Sequence, residues 1–131
     1  MARQNIKSKK KKNIKLPVGK LFVTTSSNNT LVTLTDESGN KVLGGGTGMA
    51  GFKGTKESTP YAAEMLTSGI MRQARDSFGL KEISIYMKGL GMGRDGVFKA
   101  INDLGGIDIS LIRENTAIQF GGCKGKRPKR N

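Results

Sequence analysis

The sequence predicts an α/β domain, a mixed sheet with helices packed on it, in the order βββαβαβ. Three observations carry this. Short runs rich in Thr, Val and Leu, separated by Asn-Asn and Ser-Gly-Asn turns, read as a meander of three strands. An apolar stripe at spacings of three and four follows Thr59-Pro60, as in an amphipathic helix. Beyond it, strand-like and helix-like segments alternate, so each helix can serve as a crossover between strands of one sheet.

The elements follow from local chemistry. Residues 1–15 are polar, basic and without apolar period, so ordering is expected only on a partner. Structure begins near Pro17. Residues 20–26 form a first strand around Leu21, Phe22 and Val23. Asn28-Asn29 is a turn pair, because Asn tolerates positive φ. Residues 30–36 and 41–46 are the next two strands, joined through Asp36-Glu37-Ser38-Gly39-Asn40. A loop crowded with Gly44, Gly45, Gly46, Gly48, Gly51 and Gly54 then leads to a helix over 60–77. Thr59 is its N-cap and Pro60 its first helical residue. Ala62, Met65, Leu66, Ile70 and Ala74 are its expected inner face, and Gly79 its end. Ile83, Ile85 and Met87 alternate with polar residues, as in a half-buried strand. A second glycine loop opens a shorter helix over 94–104, with Val97, Ala100, Ile101 and Leu104 inward. Gly105-Gly106 ends it, and Ile107, Ile109, Leu111 and Ile112 mark a last strand.

Charge divides the chain. It has 131 residues, 23 Lys+Arg against 10 Asp+Glu and a formal charge of +13. Residues 1–20 hold eight cations and no acid: Arg3, Lys7, Lys9, Lys10, Lys11, Lys12, Lys15 and Lys20. Residues 121–131 hold five and no acid: Lys124, Lys126, Arg127, Lys129 and Arg130. The segment between has ten of each sign, so the two ends carry the whole net charge. The expected organisation is a basic extension (1–18), a neutral globular body that binds RNA (19–120) and a basic tail (121–131). Self-repulsion of this size implies a polyanionic partner, with nucleic acid ahead of an anionic membrane surface. No amphipathic basic helix adjoins either end, which argues against the membrane.

The function classes are narrowed further by what is scarce. There is no His, the usual general base near neutral pH, and the acids are scattered, so no catalytic residues are expected. One Cys, Cys123, allows no internal disulfide, and without His no metal site or cofactor is expected. No apolar run approaches the roughly 18 residues of a membrane span. The N-terminal cations are grouped lysines, unlike a secretory signal or an organelle transit peptide.

Four segments are candidate RNA contacts. The basic ends supply affinity, because each cation near a phosphate releases a condensed counterion. The second segment is Lys88-Gly89-Leu90-Gly91-Met92-Gly93-Arg94. Gly91, Gly93 and Gly96 match the dinucleotide-binding G-x-G-x-x-G after a strand and before a helix. No second nucleotide-binding half is present, so a nucleotide-using enzyme is rejected. What remains is a backbone cradle for an RNA phosphate, flanked by Lys88 and Arg94, or a plain flexible turn. In the third, Lys53, Gly54, Lys56, Ser58 and Thr59 gather at a helix start. Phe52 beside them is either a stacking platform or a core residue. The fourth is the polar hairpin at residues 24–30. Its Ser26, Asn28 and Asn29 suit phosphates and 2′-hydroxyls, and equally suit a turn.

Together these segments resemble one family, the bacterial-type ribosomal protein number eleven of the small subunit. The likeness runs from about Leu21 to the tail. It is carried by SSNNTLVTLTD (from Ser26), GFKGTKESTPYAAE (from Gly51), KGLGMGR (from Lys88) and Gly121-Gly122-Cys123 before a basic tail. The resemblance implies a five-stranded mixed sheet with two helices. It also implies a structural, non-enzymatic place on the platform of the small ribosomal subunit, near the messenger RNA exit path. The implied partners are small-subunit ribosomal RNA and neighbouring ribosomal proteins.

Two departures stand out. Leu90 and Met92 occupy positions where the family alternates Gly with Pro, so a looser loop is expected. Lys124-Gly125-Lys126 stands where the family is typically rich in Arg and Pro, which favours point-charge over forked phosphate contacts. Sixteen Lys against seven Arg fits an AT-biased genome. A mitochondrial, organelle-encoded ribosome is therefore the leading expectation, ahead of a bacterial cytoplasm and a plastid.

Overall fold

The strands and helices fall in the predicted order in a computed structural model, which describes residues 15–131. They are β1 (Val18–Thr25), β2 (Thr30–Thr35), β3 (Lys41–Gly46), α1 (Pro60–Phe78), β4 (Glu82–Lys88), α2 (Gly93–Leu104) and β5 (Asp108–Glu114). Two short 3-10 turns, Thr47–Ala50 and Gly54–Ser58, shape the first glycine loop. The sheet order is β3-β2-β1-β4-β5. The meander β1–β2–β3 is antiparallel, while β1–β4 and β4–β5 are parallel. Parallel neighbours need crossovers, and α1 and α2 provide them.

Alternation on the strands decides which face is covered. Leu21, Val23, Val32, Leu34, Ile83, Ile85 and Met87 are buried and share one core with Ala63, Leu66, Ile70, Met71, Ala74, Val97 and Ile101 of the helices. Each Val, Leu, Ile or Met among them contributes roughly 1.5–3 kcal/mol relative to exposure, and each Ala less. Both helices therefore lie on one face. The other face, with Lys20, Phe22, Thr24, Thr33, Ser84 and Tyr86, carries no helix.

The helix ends are chemically defined. Thr59 Oγ1 accepts the Ala62 N–H at 3.2 Å, and Pro60 takes the first turn. Gly79 adopts φ 65° and donates its N–H to the Ala74 carbonyl, which ends α1 in a left-handed cap. The inner stripe of α1 differs from the expected one at Met65, which is 45% exposed. Ala63, Thr67 and Met71 are buried instead. At 100° per residue, positions 63, 67, 70 and 74 form one stripe and 65 falls on the opposite side of the helix. Gly69 lies exposed in the middle of α1, where an added Cβ would meet nothing within 4 Å. Gly69→Ala should therefore stabilise the domain by about 0.5–1 kcal/mol, read as a raised denaturant midpoint at unchanged slope.

The chain is anchored from just ahead of Pro17. Leu16 is buried and donates its N–H to the Phe78 carbonyl at 2.8 Å, and Pro17 O accepts from Lys81 and Glu82. An apolar residue ahead of the proline thus anchors the chain before β1. The Asn28-Asn29 turn uses no positive φ, since no non-glycine residue described has one. The Ser26 hydroxyl instead accepts the N–H groups of Asn28 and Asn29 at 3.3 and 3.1 Å. On the last strand, Leu111 and Ile112 are exposed, since β5 is an edge strand and the β4–β5 register shifts after Ile83.

Candidate nucleic-acid interface

Parallel pairing brings the C-terminal ends of β1, β4 and β5 to one end of the sheet. The β1–β2 hairpin, the second glycine loop and the segment that leads on to the tail leave from those ends. The N-terminus of α1 joins them. A Cβ on Gly96 would come within 2.1 Å of Pro60 O, so α2 runs against the first turn of α1. A Cβ on Gly93 would come within 2.0 Å of Thr30 Oγ1, so α2 starts against β2. The fold thus gathers the hairpin and both glycine loops, whereas Lys15 lies at the opposite end, next to Leu16 and Pro17, which bond Phe78 and Lys81 ahead of β1 and β4. Arg3, Lys7, Lys9, Lys10, Lys11 and Lys12 lie outside the described residues, while Lys15 is exposed.

The second glycine loop is welded to β1. Gly91 donates its N–H to Thr25 Oγ1 at 3.0 Å, and Gly89 donates to Thr116 Oγ1 at 3.2 Å. A Cβ on Gly91 would come within 2.6 Å of Ser26 O. These glycines let the loop backbone approach the strand, and two of their N–H groups are spent inside the protein. Leu90 and Met92 project into solvent.

Arg94 is a latch. Its guanidinium donates to the Gly89 carbonyl, to Glu114 Oε1 at 2.9 Å and to Thr116 Oγ1 at 3.3 Å. The hydrogen bond from Arg94, its charge and the Thr116 hydroxyl together hold the Glu114 carboxyl below its ordinary range. Lys88, by contrast, is exposed. Glu114 and Thr116 were not legible as site residues, because nothing in their spacing pairs them with Arg94.

The first glycine loop presents its cations outward. Lys53 and Lys56 are exposed. Ser58 Oγ donates to Thr55 O, and Thr59 Oγ1 donates to Lys56 O while capping α1. Gly54 adopts φ 62° with open space around it, so its role is the turn. Phe52 is half-buried, edge-on to Tyr61 with centroids 5.7 Å apart, and lies outside the core. In the hairpin, Asn29 Oδ1 accepts from Thr30 N at 2.7 Å and Thr47 Oγ1 at 2.6 Å. Asn29 therefore ties the hairpin to the first glycine loop, and Asn28 is the amide left at the tip.

The tail, residues 121–131, is exposed throughout. Among the described residues the ion pairs are Arg75–Asp76, Arg94–Glu114 and Lys99–Glu64, none of which uses a tail cation. Lys124, Lys126, Arg127, Lys129 and Arg130 thus stand without an internal carboxylate.

An α/β body whose glycine loops put exposed lysines at one end, and whose tail adds five exposed cations, is a basic protein with more cations than its own acids take up. A model of the family described as Ribosomal protein S11 matches residues 19–130. The chain is 40% identical over 124 residues to small ribosomal subunit protein uS11 of Lawsonia intracellularis, covering 95% of this chain and 93% of that one. It is 37% identical over 128 residues to the protein of the same name from Nitratidesulfovibrio vulgaris, covering 98% and 96%. The chain belongs to the ribosomal protein S11 family.

Proposed function

We propose that this chain is a structural, non-enzymatic constituent of the small ribosomal subunit that binds ribosomal RNA and supports translation. The convergence of the hairpin and both glycine loops at one end of the sheet, with an exposed basic tail further along the chain, carries the reading. Lys53, Lys56 and Lys88 meet phosphates at that end, and the tail follows the RNA outward. The extension before Leu16, with its grouped lysines, is a second arm. Arg94 holds the loop in shape and acts on RNA through Lys88 and the backbone it positions.

On this reading the protein sits on the platform near the messenger exit path, beside other small-subunit proteins. Its lysine-rich composition favours an organelle-encoded mitochondrial ribosome, with a bacterial or plastid ribosome as the alternatives. Co-sedimentation with the intact small subunit from fractionated organelles tests the compartment directly.

The contact is tested with Lys53→Ala, Lys56→Ala and Lys88→Ala combined. All three side chains are exposed, so the circular dichroism spectrum should be unchanged. The log–log salt slope of RNA binding should become shallower by about 2–3, and incorporation into small subunits should fall. Normal incorporation with an unchanged slope would remove the two loops from the interface.

A further inference from the structure

The sheet face opposite the helices carries an aromatic pair that neither the core nor the convergent end uses. Register places Phe22 of β1 beside Tyr86 of β4, with Thr33 of β2 on the far side of Phe22 and Arg113 of β5 beyond Tyr86. The two rings stack with centroids 5.1 Å apart and planes 16° from parallel. Phe22 takes no part in the core cluster. On a half-buried strand the side chain facing water is usually polar. Two adjacent aromatic rings on that side are costly to leave without a partner.

The surroundings favour one partner chemistry. Register places Lys20, Lys41, Lys88 and Arg113 on the same face as the rings. Glu82 and Asp108 share the face only at its far corner, where β4 and β5 begin. Beside Phe22 the row continues through Thr33 to Gly44, and the Lys41 side chain lies against that glycine, which brings a cation to the outer flank of the ring. Lys88 belongs both to this face and to the second glycine loop, so the surface is continuous with the convergent end.

We propose that this open face is a further RNA contact, which seats an unpaired segment and stacks a base against the Phe22–Tyr86 pair. This rests on the reading of the chain as an RNA-binding ribosomal protein and adds the class of RNA taken. In a duplex the base faces are covered by their neighbours, and only an unpaired base can offer one to a ring. The cations around the pair hold the backbone, while the stacked rings choose single strand over duplex.

The test compares the full-length protein with a Phe22→Leu/Tyr86→Leu variant. The probes are an unstructured oligouridylate and a fully paired RNA duplex, at one salt concentration. Stacking of one base predicts that the variant loses about tenfold or more in affinity for the single strand and nothing for the duplex. If the double variant does not fold, Tyr86→Leu alone carries the same comparison. Equal single-strand affinity in variant and wild type would overturn the proposal and leave RNA binding at the convergent end intact. Failure of the wild type to bind either RNA would overturn the ribosomal reading itself. Photo-crosslinking from position 22 in assembled small subunits gives the second readout. Crosslinks to an unpaired nucleotide agree with the proposal, and crosslinks to a neighbouring protein refute it.

Discussion

Gly89→Ala should destabilise the domain by about 2–5 kcal/mol, the largest loss expected from any single methyl group in the second glycine loop. Two costs add. Gly89 has φ 88°, and an L-residue in that region pays roughly 1–2 kcal/mol. The new Cβ would also lie 1.8 Å from the Thr25 carbonyl oxygen and 3.0 Å from its carbon. Those atoms are backbone of β1, between β2 and β4, and cannot swing aside as a side-chain tip would. Overpacking of this kind costs typically 1–3 kcal/mol. Against a total stability of about 5–15 kcal/mol for a domain, the loss is a large fraction. Denaturant titration should show the midpoint falling steeply. Gly125→Ala is the control, since its Cβ would meet nothing and its φ is not positive. A Gly89→Ala protein as stable as the Gly125→Ala control would mean that the loop is not seated on β1.

Gly89 also shows where a sequence is legible and where it is not. The order of elements, the Thr59-Pro60 start of α1 and its end at Gly79 were all readable, because caps, prolines and periodicity act locally. The second glycine loop was readable as a place of close backbone approach. The sequence alone could not say what approaches. The nearest surface is the strand Thr25–Ser26, some sixty positions away in the chain, and only the β1–β4 pairing brings it there. Arg94 followed the same pattern. Its charge was legible, but its capture by Glu114 and Thr116 depends on β5 lying beside β4. The aromatic pair was hidden for a related reason. Phe22 sat in the apolar run Leu21-Phe22-Val23, which does not say which face each residue takes, and strand alternation sends it to the opposite face from Leu21 and Val23. Its partner Tyr86 had to come from a strand that pairs only after α1 has crossed the sheet.

Neutralising the tail should have the largest effect on binding while leaving the fold untouched. Replacing Lys124, Lys126, Arg127, Lys129 and Arg130 with Ser removes five charges from a segment that is exposed throughout. The thermal midpoint should therefore not move. If all five meet phosphates, the log–log salt slope should become shallower by about 3.5–4.5. Between 50 and 200 mM salt the wild type should then lose roughly 100–500-fold more affinity than the variant. Loss of the three loop lysines changes the slope less, simply because fewer counterions are involved. Counterion release counts charges and ignores their shape. Lys124→Arg with Lys126→Arg should accordingly leave the slope where it is, even if the forked guanidinium changes the affinity. Salt titrations of the wild type, the neutral tail and the arginine tail against one ribosomal RNA fragment separate these outcomes. A neutral tail with the wild-type slope would show that the tail cations do not reach phosphate, and the burden of affinity would pass to the loops and the open face.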